Sequence, residues 1–148
     1  MSAPDAAEAL QERARAALAG FVAVESDDDG SLRFEYGGAL CSLRAVTLAD
    51  GLDVLSLTGV LAWDRTYTAA LLERVAERNA QAQFGSISMI TRGNLADVVL
   101  RYTFPATGLT DAPLATMLLL VLSGIEDARG DCWRSPDRRP RISGTMVG

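Results

Sequence analysis

A chain of 148 residues, 49% of them apolar, is long enough to bury one core and too apolar to stay unfolded as a whole. Its formal charge of −5 sets it against nucleic acid, whose phosphates call for a basic stripe. All 14 basic residues are arginine and histidine is absent, which excludes His-activated nucleophiles, His metal ligands, Schiff-base lysines and a phosphate-loop lysine.

The opening segment, MSAPDAAEAL, has no hydrophobic signal core. The longest apolar run, Met117 to Leu122, is far short of the roughly 20 residues of a membrane span. Both features imply a cytoplasmic protein with no membrane partner.

In chain order, the spacing of Leu10, Ala14, Ala17, Leu18 and Phe21 predicts a first helix over about Pro4 to Ala19, with Ser2 as its cap and Gly20 at its end. A short strand, Phe21 to Glu25, precedes Asp27-Asp28-Asp29-Gly30. That run reads as an acidic turn rather than a calcium loop, because Glu35 comes too early to be the late bidentate ligand and lies on a strand. Leu32, Phe34 and Tyr36 alternate with Arg33 and Glu35, marking a half-buried strand. Gly37-Gly38 and Asp50-Gly51 are hairpin turns, so Ala39 to Leu48 and Leu52 to Leu61 complete an antiparallel meander.

These middle strands carry apolar residues on both faces. Leu40, Val46 and Leu48 oppose Cys41, Leu43 and Ala45, and Val54 and Val60 oppose Leu55, Leu57 and Leu61. One sheet face is therefore expected to be covered only partly within a monomer, as at an interaction site. The alternative is that the first helix and the tail cover it.

A second helix is predicted over about Thr66 to Gln81, capped by Asp64, with Ala69, Leu72, Val75, Ala76 and Asn79 near one face and Leu71 beside them. Phe84-Gly85 opens a strand and Gly93-Asn94 makes a turn. Val98, Leu100, Tyr102 and Phe104 then alternate along the cleanest strand in the chain. Thr110 caps a last helix whose buried stripe is Leu114, Met117, Leu118, Val121, Leu122 and Ile125; Leu119 and Leu120 widen it beyond what one sheet requires. The domain is expected to end at residue 130. Residues 131–148 read as a flexible tail with Pro136, Pro140 and four arginines, including a Ser135-Pro136 step suited to modification.

No residue pattern marks a catalytic, cofactor or metal site. Asp50, Asp53 and Asp64 have structural roles available at a turn, a strand start and a helix cap. Cys41 reads as a small buried residue and Cys132 as an exposed tail thiol, which a cytoplasmic setting keeps unpaired. Asn79, at a helix end, reads as a group that satisfies backbone, with direct partner contact as the alternative.

The element order is α-β-β-β(-β)-α-β-β-α. From Glu77 to Gly130 it resembles the YbjN family, described as bacterial sensory transduction regulators. The resemblance is carried by Asn79, Phe84-Gly85, the strand Val98 to Phe104, Pro105 with Gly108-Leu109-Thr110, and the apolar final helix. It implies an α+β domain with an antiparallel sheet and three helices, of the type III secretion chaperone-like fold. It further implies a domain that dimerises or binds extended peptide segments, with no catalytic residues.

The expected function is a non-enzymatic, chaperone-like or adaptor module, homodimeric, that binds a protein or peptide through a sheet face or edge. Leu55, Leu57, Asn79, Val99 and Leu119 are the candidate partner-binding residues. A charge at Leu55 or Leu57 is expected to abolish capture while the domain stays folded. The alternative is a small-ligand sensor, its apolar pocket lined by Leu118, Leu122 and Tyr102 between sheet and last helix.

Overall fold

The computed structural model describes residues 5–130 together with Trp133. The chain is an α+β fold in the predicted order: α1 (Ala6–Leu18), β1 (Glu25–Ser26), β2 (Leu32–Tyr36), β3 (Ala39–Ala49), β4 (Leu52–Thr66), α2 (Ala69–Gln81), β5 (Ser86–Arg92), β6 (Leu95–Pro105) and α3 (Asp111–Ala128). The strands form one six-stranded sheet in the order β1-β2-β3-β4-β6-β5. Each neighbouring pair is antiparallel.

Local chemistry explains the turns and ends. Gly37 and Gly38 both take positive φ between Tyr36 and its partner Ala39, a conformation that costs glycine nothing. Asp5 caps α1 by accepting from the Glu8 N–H at 2.8 Å. The expected Ser2 cap and Pro4 first turn lie outside the described residues. Thr68, not Asp64, caps α2, accepting from the Leu71 N–H at 3.1 Å. Asp64 instead sits inside β4 with φ of 50°. Thr110 occupies the N-cap of α3 without a side-chain cap bond, while Asp111 in the first turn pairs with Arg13 of α1.

One strand runs longer than its alternation suggests, and one runs shorter. β4 continues to Thr66 because Arg65 and Thr66 pair with Ala96 and Leu95, but its register slips between Val60 and Ala62 and again before Arg65. The slip leaves Leu61 and Ala62 both buried and hides the strand from a period-of-two reading. The strand expected at Phe21 to Glu25 forms only as β1, at the far edge of the sheet.

The helices share one side of the sheet. Leu10, Ala14 and Leu18 of α1, Leu71 and Val75 of α2, and Leu114, Leu118, Val121, Leu122 and Ile125 of α3 form one core with Phe34, Cys41, Leu43, Leu55, Leu57, Leu100 and Phe104. Gly59 lets α3 approach closely, since a Cβ there would stand 2.6 Å from Ile125 Cδ1. On α2 the buried pair is Leu71 and Val75; Leu72, expected on the inner face, is exposed. Trp133 is also buried, donating from Nε1 to the Ala128 carbonyl at 2.6 Å and accepting from Arg65 Nε at 2.5 Å. Core packing thus continues beyond Gly130.

Candidate interaction surface

Register fixes which side chains leave the sheet on the side away from the helices. Val60 pairs with Val99, and Val54 with Val46 and Pro105. Val54 and Val99 are buried yet stand outside the core that the helices share. Among the described residues no helix lies over this open face.

The open face is banded. One row crosses five strands as Arg33, Ser42, Thr58, Arg101 and Ser86, each in register with the next, and Glu25 of β1 stands in register beyond Arg33. A second row holds Arg44, Ser56 and Thr103. Apolar residues flank both: Leu40, Val60 and Val99 on one side, Val46 and Val54 on the other. The rows are knitted by hydroxyl contacts, Thr103 Oγ1 to Ser56 Oγ at 3.1 Å and Arg101 Nε to Thr58 Oγ1 at 3.4 Å. Arg33 pairs with Glu25 and Arg44 with Asp29. Arg101 meets no carboxylate among the described residues.

At one end this face is closed by charge. Arg92 Nη1 donates to Asp97 Oδ2 at 2.6 Å and the guanidinium also reaches Asp64, while the Asp64 N–H donates to Asp97 Oδ1 at 2.9 Å. The hydrogen bond from Arg92 holds the buried Asp97 carboxyl below the ordinary carboxylate range. Trp63 and Ile90 are about half exposed, at 51% and 50%. Asp29, in the acidic turn, is likewise lowered, first by the Ser31 hydroxyl that donates to it.

The sequence-selected residues separate. Leu55 and Leu57 are fully buried on the helix side. They are core residues, and a charge there would strike the fold before any partner; the expectation that the domain would stay folded is corrected. Val99 is on the open face but shielded by its neighbours. Leu119 lies on the outward side of α3, 41% exposed beside the similarly exposed Leu120.

Asn79 holds the sheet edge. Its Oδ1 accepts from the Ile87 N–H at 2.6 Å and its Nδ2 donates to the Ile87 carbonyl at 2.7 Å. The amide thus takes the place a further strand would occupy beside Ile87, which closes that point of the edge to strand addition.

Leu118 and Leu122, expected to line a ligand pocket, are packed without exposure. A cleft of about 350 Å³ instead lies beside them, between the end of α2 and the later turns of α3, with Phe84, Ile87, Leu100 and Leu120 among its walls. Among the described residues no cluster of acidic or cysteine side chains is gathered to hold a metal. Burial pushes the Cys41 thiol up to about 12, leaving it un-ionised and inert. Cys132 and the Ser135-Pro136 step lie outside the described residues. Among the described residues no helix is long and apolar enough to cross a membrane.

With this geometry in hand, comparison with known proteins finds a family and a solved structure that the chain is similar to. The family described as "YbjN: Putative bacterial sensory transduction regulator" matches residues 8–132. The crystal structure of a protein described as "YbjN, a putative transcription regulator from E. coli" superposes with a TM-score of 0.51 at 15% identity, over 79% of this chain and 89% of that chain. At that identity the likeness bears on the fold. None of the curated proteins matches the sequence.

Proposed function

The chain belongs to the YbjN family of bacterial regulators, and from that premise we propose that it is a non-enzymatic, cytoplasmic module that docks a protein or peptide segment on the open face of its sheet. One observation carries the reading. All three helices of the described residues pack on one side, leaving a face with Leu40, Val46 and Val60 partly accessible and no helix above it. A side chain that water still reaches in the centre of a sheet gains free energy when a partner covers it, at roughly 25 cal/mol per Å². The clamped edge at Ile87 favours the face over the edge as the docking route.

The same reading includes self-association through the outward side of α3, where Leu119 and Leu120 lie side by side. A helix apolar on both sides is suited to lie between its own sheet and a second copy.

Native mass spectrometry of the protein captured from its own cells tests both parts. One recurring partner is expected with the wild type, and its loss with Val46→Glu or Val60→Glu, each checked for an unchanged circular dichroism melt. Leu119→Glu is expected to halve the assembly mass and to retain the partner. Equal capture by the wild type and the open-face variants would remove the face from the mechanism.

The cleft between α2 and α3 supports a second reading, a small apolar ligand held against Phe84, Ile87 and Leu100. A ligand there raises the melting temperature through preferential binding to the folded state, and Leu120→Arg is expected to cancel that rise.

A further inference from the structure

We infer that the segment docked on the open face is acidic, an extended stretch of another protein in which a carboxylate between apolar residues reaches Arg101. This rests on the reading of the open face as the docking surface and adds the chemistry of what docks.

The carboxylates of the face, Glu25 in register with Arg33 and Glu35 paired with Leu40, stand at its β1–β2 end; across β3, β4, β6 and β5 the two rows hold Arg44, Arg101 and five hydroxyl residues, and no carboxylate. That composition stands on a chain whose net charge is −5, so the acid is concentrated elsewhere. Arg33 and Arg44 spend their charge on Glu25 and Asp29. Among the described residues Arg101 donates only to the Thr58 hydroxyl, on the strand adjacent to its own. A guanidinium presents five donors, so most of its capacity is left for an incoming oxygen acid. Serine and threonine hydroxyls along the same row add donors to either side. The row spans four inter-strand gaps of about 4.8 Å, or about 19 Å, which an extended segment of about six residues matches. The apolar bands on both sides suit a segment that alternates acidic and apolar side chains.

The same charges turn away two other occupants. A second copy docked face to face about a two-fold would set the arginine rows against each other, since such an interface presents one patch to itself. The chain's own C-terminal stretch carries Arg134, Arg138, Arg139 and Arg141 against Asp131 and Asp137, and is basic. Nucleic acid is disfavoured because the two rows contain no aromatic side chain on which a base stacks, and because the whole chain is acidic.

Random dodecapeptides displayed on phage, selected against the immobilised full-length protein, test the inference. Enriched peptides are expected to carry Asp or Glu between apolar residues. Their affinity, read by fluorescence anisotropy, is expected to fall at least tenfold with Arg101→Gln and as far when the peptide's acid is replaced by its amide. The two changes together should cost little more than either alone, the signature of one shared contact. The side chain of Arg101 lies on the surface, and an unchanged melt confirms that the variant folds.

Enriched peptides without acids, lost with Val60→Glu but indifferent to Arg101→Gln, would overturn the acidic chemistry and leave the docking face standing. No enrichment, or enriched peptides indifferent to Val60→Glu, would overturn both. Tight binding of a DNA or RNA oligonucleotide that Arg101→Gln removes would assign the face to nucleic acid and sink the inference.

Discussion

On the helix side of the sheet, Leu43, Leu55 and Leu57 lose all exposure beneath α1 and α3. On the open side, Val54 and Val99 come within 5% of the same burial with no helix above them among the described residues. The two faces thus reach low exposure by different means. One is packed by a second layer, and the other is shielded by its own neighbours in a wide sheet. Low exposure in a central strand therefore does not report a covered face. The energetics should differ, because a truncated core side chain leaves a cavity walled on every side, whereas a truncated open-face side chain leaves a dent that water or neighbours fill.

The largest expected effect breaks or confirms that contrast. Leu57→Ala is expected to cost about 2–5 kcal/mol. Val99→Ala, which loses two methyl groups without a sealed cavity, is expected to cost about 1.5 kcal/mol. Urea midpoints of the two variants decide it. A Val99→Ala cost equal to that of Leu57→Ala would mean that the open face is covered after all.

The edge supplies the second test. Asn79→Ala removes both hydrogen bonds to Ile87 and leaves its N–H and carbonyl to water, at about 1–3 kcal/mol. Hydrogen exchange at the Ile87 amide is expected to accelerate more than at residues of β3 and β4. Unchanged protection at Ile87 would show that the clamp does not hold in solution. Should the variant also gain a tendency to associate, the closed edge is what keeps partners to the face.

How far the sequence reached follows from the same contrast. The hairpins at Gly37-Gly38 and Gly93-Asn94 and the stripe on α3 are written in local patterns and fold as read, and the strand read over Val98 to Phe104 lies within the longer β6. The choice of covered face is not local. β3 and β4 are apolar on both sides, so alternation alone gives Leu57 and Val60 equal claims to the interior. Only Gly59, which admits Ile125, marks the side on which α3 lies, and glycine within a strand signals close approach without naming the direction. The β4 slips at Val60 and Arg65 erased the period of two just where the strand needed it, which is why Asp64 reads as a helix cap when it is a bulge residue. Asn79 was legible as a polar group that satisfies backbone at a helix end. Its target, an edge strand eight residues later, depends on how α2 packs.

The smallest effect concerns how the open face is held at its Trp63 end, where charge replaces packing. Arg92 and the Asp64 N–H bond to Asp97 and hold its carboxyl below its ordinary value. A carboxyl with a lowered folded-state pKa binds fewer protons folded than unfolded, so its contribution is complete above the unfolded value of about 3.9 and drains away as the pH falls through the folded one. Asp97→Asn is therefore expected to destabilise the protein near neutral pH by about 1 kcal/mol, a modest figure because Arg92 keeps half of its side-chain surface in water, at 50%. The gap between wild type and variant should close as the pH is taken below about 4. Denaturant midpoints of both proteins across that range read the effect directly. A gap that held constant to low pH would mean that Asp97 acts through shape and not through charge. The open face would then share the apolar logic of the covered one, and the contrast between them would narrow to the helices alone.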